Sequence, residues 1–201
     1  MTTTPTPRIV LPAEPIVEDG TALRRWRDSD LPELVQACRD PEIVRWTSVP
    51  AAYSESDARS YLRQRYDAAA AGLTAPFAIV DADSDRLLGS ISLLRFAWTH
   101  ARGEVGYWLA SWARGQGHAT RAVRLICAWG FRSLRLERIE LMASTANPAS
   151  QSVAERAGFV REAVLRTYML GTFGRQDMVM FGLLKTDPPR SPQCGEASAP
   201  P

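Results

Sequence analysis

The stretch Arg114-Gly115-Gln116-Gly117-His118-Ala119 places two glycines and a small residue at the mouth of a helical repeat, directly after a strand pattern. A helix entrance this bare leaves several amide N–H groups uncovered, and the positive end of the helix points the same way. That is the chemistry of an anion site, with phosphate the leading candidate. Gly115 and Gly117 permit close backbone approach, Arg114 adds a charge-assisted contact, and Ala119 lets the helix sit tightly on a sheet. Three anion patterns compete. A nucleoside-triphosphate loop needs GxxxxGK[ST], and the segment has neither the spacing nor the lysine. A dinucleotide loop needs GxGxxG; the third position here is Thr120, and Glu137 and Glu140 are poorly placed for the acidic residue that should end the next strand. The third pattern is R-x-x-G-x-A following GEVGYWL.

Other chemistries find little support. Two histidines, His100 and His118, are too few for a typical catalytic zinc or histidine triad. The cysteines Cys38, Cys127 and Cys194 are odd in number and show no CxxC spacing, so neither a disulfide framework nor a zinc site is suggested, and a reducing cytoplasm fits. Cys127 lies on a buried stripe with no base beside it, and His118 is expected to be an exposed first-turn residue. The 24 Lys+Arg against 22 Asp+Glu leave a net charge of only +2, which argues for neither nucleic acid nor anionic membrane as a partner. Runs such as Arg24, Arg25, Arg27 and Arg132, Arg135, Arg138 read as solvated faces. No apolar run is long enough for a membrane span, and the N-terminus does not read as a secretion signal.

These residues must be held by a mixed set of elements. Residues 22–26 read as a strand; Ser29 or Asp30 then caps a helix with Leu31, Leu34, Val35 and Cys38 on one face. Ser54, with Asp57 three residues on, opens a second helix that stops at Gly72. Strands 77–81 and 87–96 form a hairpin around a polar loop. Strand 103–110 leads into the glycine-rich entry and a helix whose Ala119, Ala122, Val123, Ile126, Cys127 and Gly130 recur at helical spacing. Strand 137–144 completes a strand-helix-strand unit whose strands should be parallel. A short helix over 148–158 and a last hairpin follow. The proline-rich residues 1–19 and 186–201 are expected to be flexible, leaving one folded domain over 20–185. The class is α+β.

Four segments in this order, RGQGHA, EVGYWL, NPAS and ERAGF, resemble the GNAT acyl-CoA N-acyltransferases over about residues 20–185, and most closely the RimJ/RimL branch, which acetylates protein N-termini and, in other members, small amines. The resemblance implies a mixed, mostly antiparallel sheet of about seven strands with flanking helices and a splayed parallel pair at its centre, acetyl-CoA as co-substrate, an amine acceptor and no metal; a homodimer is compatible with it. The diphosphate would lie on Arg114, Gly115, Gln116, Gly117, His118, Ala119 and Thr120. The pantetheine arm would pair with the freed strand edges, beside Leu109, Asn147 and Ser150.

Acyl transfer to an amine needs a neutral nitrogen, a stabilised oxyanion and a proton for the departing thiolate. Alkylammonium groups ionise near pH 10, so a base must act first. Glu104 is the family-like base and Glu162 a second carboxylate facing the groove. The backbone N–H of Leu109 would meet the oxyanion. The tyrosine that many family members place four residues before the Gly-Phe pair is Ala154 here, so Ser150 becomes the candidate proton donor, although it also suits a helix cap. Trp46, Tyr53, Tyr168 and Phe173 are expected to wall the acceptor pocket, with Asp177 giving it a negative cast. Two rival readings are an acyl-CoA-binding module without activity and a nicotinamide-dependent oxidoreductase.

Overall fold

Runs of β-branched and aromatic residues, broken by Gly, Asp and Ser turns, build the sheet. In the computed structural model, which describes residues 7–50, 52–171 and 174–188, its strands are β1 (Ile16–Glu18), β2 (Thr21–Arg24), β3 (Thr74–Asp81), β4 (Leu87–Ala97), β5 (Arg102–Leu109), β6 (Arg138–Ser144), β7 (Val160–Gly171) and β8 (Gly174–Leu184). Their order is β1-β2-β3-β4-β5-β6-β8-β7. Every neighbouring pair is antiparallel except β5 and β6. The sheet therefore has the expected architecture, with β1 added at one edge.

The helix α4 (His118–Ser133) carries the crossover from β5 to β6. Its predicted stripe is buried, and Ile126 and Cys127 pack among Leu93, Ile139 and Leu141. Gly130 lets the helix approach the sheet closely: a Cβ there would stand 2.8 Å from Leu93 Cδ1. Burial of each aliphatic side chain contributes about 1.5–3 kcal/mol, so this stripe holds the glycine-rich entry in place against the sheet. On the opposite face, α1 (Leu31–Cys38) and α3 (Glu55–Ala70) lay Leu34, Ala58 and Leu62 over Ala78, Val80 and Leu87. The capping box at the start of α3 is closed by Ser54 and Asp57, as the sequence predicts. The short α5 (Pro148–Arg156) packs beside α4.

Three expectations change. The segment 7–19, expected to be flexible, is packed: Ile9 and Leu11 are buried in the main core, and the guanidinium of Arg25 donates to the carbonyls of Leu11 and Pro12. Two apolar side chains among prolines are enough when a sheet edge covers them. Arg24 is no surface charge either. It is 4% exposed and forks onto Asp30 with two 2.8 Å contacts, while Asp85 accepts from its Nε at 2.6 Å. This engages the carboxylate of Asp30, so it makes no capping bond to α1. Finally, Asp40 caps an unpredicted helix, α2 (Pro41–Trp46), by accepting from Glu42 N at 2.9 Å.

Candidate active site

The parallel pair does not stay paired. Register contacts run from Arg102↔Arg138 to Val105↔Leu141 and stop, although β5 continues to Leu109 and β6 to Ser144. Beyond that point β5 is held only by β4 and β6 only by β8. Ala110 N donates to Leu88 O at 2.9 Å. Strand alternation then turns the N–H and C=O groups of Tyr107 and Leu109 away from β4 and into the gap. A wedge lined by backbone donors and acceptors opens at the middle of the sheet.

The glycine-rich entry lies at the wide end of this wedge. Gly115 and Gly117 take φ of 76° and 81°, the left-handed conformation that glycine adopts without strain. Among the described residues, no protein acceptor is bonded to the backbone amides of Gly115 through Thr120. The side chains around them are turned inward. Gln116 Nε2 donates to Trp112 O at 3.0 Å, and His118 Nδ1 meets Thr21 Oγ1 at 2.9 Å. Arg121 braces the loop from beneath, donating to Gln116 O at 2.7 Å and to Thr21 Oγ1 at 2.8 Å. What the loop presents outward is therefore main chain. Arg114 stands at its rim, donating to Leu109 O at 3.0 Å and paired with Asp40 at 2.7 Å. That ion pair is close but off-line, so the buried Asp40 Oδ2 has charge compensation without a directed hydrogen bond.

A cleft of about 1320 Å³ joins the wedge, the rim of the loop and the α2–α3 side of the sheet. That exceeds the roughly 300–1,000 Å³ of a usual small-molecule site, and two ligands fit side by side. Glu104 and Tyr107 both line it, from opposite faces of β5. Glu104 shares its face with Trp108, which packs toward α1 and α3, whereas Tyr107 packs with the α4 core. Glu104 is 16% exposed and accepts from Arg95 at 2.7 Å; this contact raises the Arg95 pKa. Tyr107 Oη lies 3.1 Å from Ser150 Oγ, and burial pushes the phenol up to about 12. The Asn147 side chain caps α5 through its Oδ1, which accepts from Ser150 N at 3.0 Å. Ser150 is thereby released from capping, while Asn147 keeps its amide N–H₂ on the cleft.

A bare helix entry, a strand pair that opens beside it and a carboxylate on the far face are the features expected from the resemblance to acyl-CoA N-acyltransferases. The family model for the acetyltransferase (GNAT) domain matches residues 21–160. The chain belongs to the GNAT acetyltransferase family. This N-acetyltransferase is 28% identical to the N-acetyltransferase p20 of Bacillus licheniformis over 174 residues, which span 87% of this chain and 98% of that one. Among solved structures, its fold is similar to the ribosomal-protein-S5-alanine acetyltransferase of Vibrio fischeri, with a TM-score of 0.74, 21% identity and coverage of 87% and 98% of the two chains. It is also similar to the spermidine N-acetyltransferase of Vibrio cholerae in complex with CoA and spermine, with a TM-score of 0.72, 20% identity and coverage of 84% and 97%. The nicotinamide reading of the glycine loop is thereby overturned: the missing third glycine and acidic strand end belong to a different anion site.

The acetyltransferase cleft gathers most of the residues singled out from sequence and leaves others outside. Glu104, Leu109, Arg114, Gly115, Ala119, Asn147, Ser150, Trp46 and Tyr53 line it. Trp46 ends α2, its indole donating to Glu42 at 2.9 Å. Tyr53 is buried against Cys38, and burial raises both pKa values, the thiol to about 12. His118 is corrected from exposed to 8% exposed, because the first turn of α4 faces β2 rather than solvent. Glu162 does not face the cleft. It is locked onto Arg138 at 2.5 and 2.9 Å, which lowers its pKa. Tyr168 is 57% exposed and off the cleft, and the Asp177 carboxylate accepts from Thr167 N at 2.7 Å. Bulges in the β7–β8 hairpin re-aim these side chains, leaving Met169, Leu170 and Gln176 on the cleft instead. Phe173 lies outside the described residues. The sequence reading also passed over Tyr107, three positions after Glu104 in an alternating strand and so necessarily on the other face.

Proposed function

We propose that the enzyme transfers the acetyl group of acetyl-CoA to a primary amine by direct attack in a ternary complex. The observation that carries this is the parting of β5 and β6 after Val105 and Leu141 beside a helix entry with uncovered amides. The amides of Gly115 to Thr120, with Arg114 swung from Asp40, suit a diphosphate. The edge groups of Tyr107 and Leu109 and the free amide of Asn147 suit the amide-bearing arm, as a peptide adds to a sheet edge.

The two faces of β5 divide the work. On the α3 side Glu104, oriented by Arg95 at 2.7 Å, takes a proton from the incoming ammonium, directly or through water. In the gap, the Leu109 N–H stabilises the oxyanion. On the α5 side Ser150 hydrogen-bonds the departing sulfur and relays to it the second proton that the attacking nitrogen sheds through water, so that the serine hydroxyl is regenerated. The nucleophile enters from one side of the thioester carbonyl and the sulfur leaves from the other, which matches a base and a hydroxyl on opposite faces of one strand. The buried thiols Cys38 and Cys127, both shifted upward by burial, are unsuited to forming an acyl-enzyme.

The test is thiol release from acetyl-CoA across a panel of amines and N-terminal peptides. Amine-dependent release is expected, with Glu104→Gln slower by about a hundredfold at pH 7 and recovering toward pH 10, where the amine loses its proton unaided. Absence of amine-dependent release from every member overturns the proposal.

A further inference from the structure

The acceptor half of the cleft holds several charged groups, and nearly all are already committed. Glu42 receives the Trp46 indole and lies 3.8 Å from Arg45, Asp57 closes the cap with Ser54, and Glu104 is paired with Arg95 at 2.7 Å. Two charges of the lining have no ion-pair partner among the described residues: Asp57, which is satisfied by the Ser54 N–H and hydroxyl, and Arg65, the single unpaired cation of the lining. Arg65 has no carboxylate within ion-pair distance among the described residues; its guanidinium lies 4.9 Å over the ring of Tyr61, whose hydroxyl is anchored 3.1 Å from Ser90 Oγ.

Register places this free cation near the candidate base. The helix α3 packs on β3 and reaches β4 through two tethers, at one end Tyr61 to Ser90 and beyond the other Gly72 O, which accepts from Trp98 Nε1 at 3.2 Å. Four helical residues advance about 6 Å and two strand residues about 6.6 Å, so Arg65 is level with Ser92. Ser92 faces Gly106 across the strands, and the next same-face pair is Leu94 with Glu104. Gly106 contributes no side chain to the space between, and Arg65, Ser92, Gly106 and Glu104 all line the cleft.

We infer that the acceptor is a primary amine bearing a carboxylate a few atoms from its nitrogen, and that Arg65 binds that carboxylate; this rests on the acetyltransferase site proposed above. A half-buried guanidinium stacked on a fixed aromatic ring is a preorganised carboxylate receptor. A second ammonium, as on a polyamine, would be repelled by Arg65, and the one carboxylate of the lining without a cation, Asp57, is engaged by the cap donors of Ser54. The carboxylate has two sources, the α-carboxylate of a free amino acid or an acidic residue beside a peptide N-terminus.

The experiment compares kcat/KM for four acceptors: a peptide with Asp in its second position, the same peptide with Lys there, a free amino acid and spermidine. The Asp peptide or the amino acid, whichever is the source, should exceed the Lys peptide and spermidine by at least about tenfold. Arg65→Gln should erase most of that ratio through KM, and Arg65→Glu should invert it, with acetyl-CoA binding unchanged in a thermal-shift assay. Spermidine or the Lys peptide performing as well, or an acidic preference that survives Arg65→Gln, overturns the inference while leaving the acetyltransferase reading intact. Failure of all four acceptors, and of every other amine, overturns both.

Discussion

The Tyr107 hydroxyl stands 3.1 Å from Ser150 Oγ at the point where two strands separate. Either hydroxyl can donate in this pair, and burial pushes the phenol pKa up to about 12; in the arrangement where the phenol donates, the serine proton is left to turn into the cleft. Ser150→Ala should lower kcat by about tenfold to a hundredfold. Tyr107→Phe should lower it by about two- to tenfold, the worth of one hydrogen bond. The double variant should be no slower than Ser150→Ala in steady-state thiol release. Independent, multiplicative losses would refute the pairing.

Arg114 is shared between Asp40 and Leu109 O, and a phosphate competes for the same guanidinium. Arg114→Ala should raise the KM for acetyl-CoA about tenfold or more with kcat little changed. Asp40→Asn, which keeps the cap of α2, should lower that KM several-fold. Titration of CoA by calorimetry would register both changes.

Stability should carry a signature of His118. Burial and the nearby Arg121 charge lower its pKa below the ordinary histidine value. Below about pH 6.5 the unfolded chain binds a proton that the folded chain resists, so stability is full above that pH and falls as pH drops through the folded pKa. The Tm should decline between pH 7 and pH 5.5, above the range where carboxylates titrate. In His118→Gln this slope should flatten, as seen by calorimetric melting.

Gly115 and Gly117 share a left-handed backbone but not their surroundings. Nothing lies within 4 Å of a Cβ built on Gly115, whereas one on Gly117 stands 2.7 Å from an Arg121 nitrogen. Each change to Ala should cost about 1–2 kcal/mol for φ alone. Gly117→Ala should cost more, and by displacing the Arg121 brace should raise the KM for acetyl-CoA beyond that of Gly115→Ala. Chemical denaturation and initial rates read the two effects separately.

Legibility followed the range of the interactions. The α4 stripe, the α3 capping box and the glycine entry all answer to residues within a few positions, and each is found where periodicity places it. Arg24 and Asp177 depart from expectation for different reasons: Arg24 is buried by forking onto Asp30, which the sequence offers as a helix cap, with Asp85 added from 61 residues away, and Asp177 is turned by bulges in the β7–β8 hairpin. Helix α2 was missed because it has only six residues, too few to show a period.

By itself the chain determined its α+β class, the parallel pair and the bare glycine-rich helix entry, since propensity, alternation and capping act over short spans of sequence. Tertiary structure alone decided that Glu104 and Ser150 share a cleft while Glu162 does not, that Tyr107 meets Ser150, and that Arg65 lines the same cleft as Glu104. Those facts depend on where strand pairing stops and how a helix registers on a sheet, and many distant packing contacts set both together.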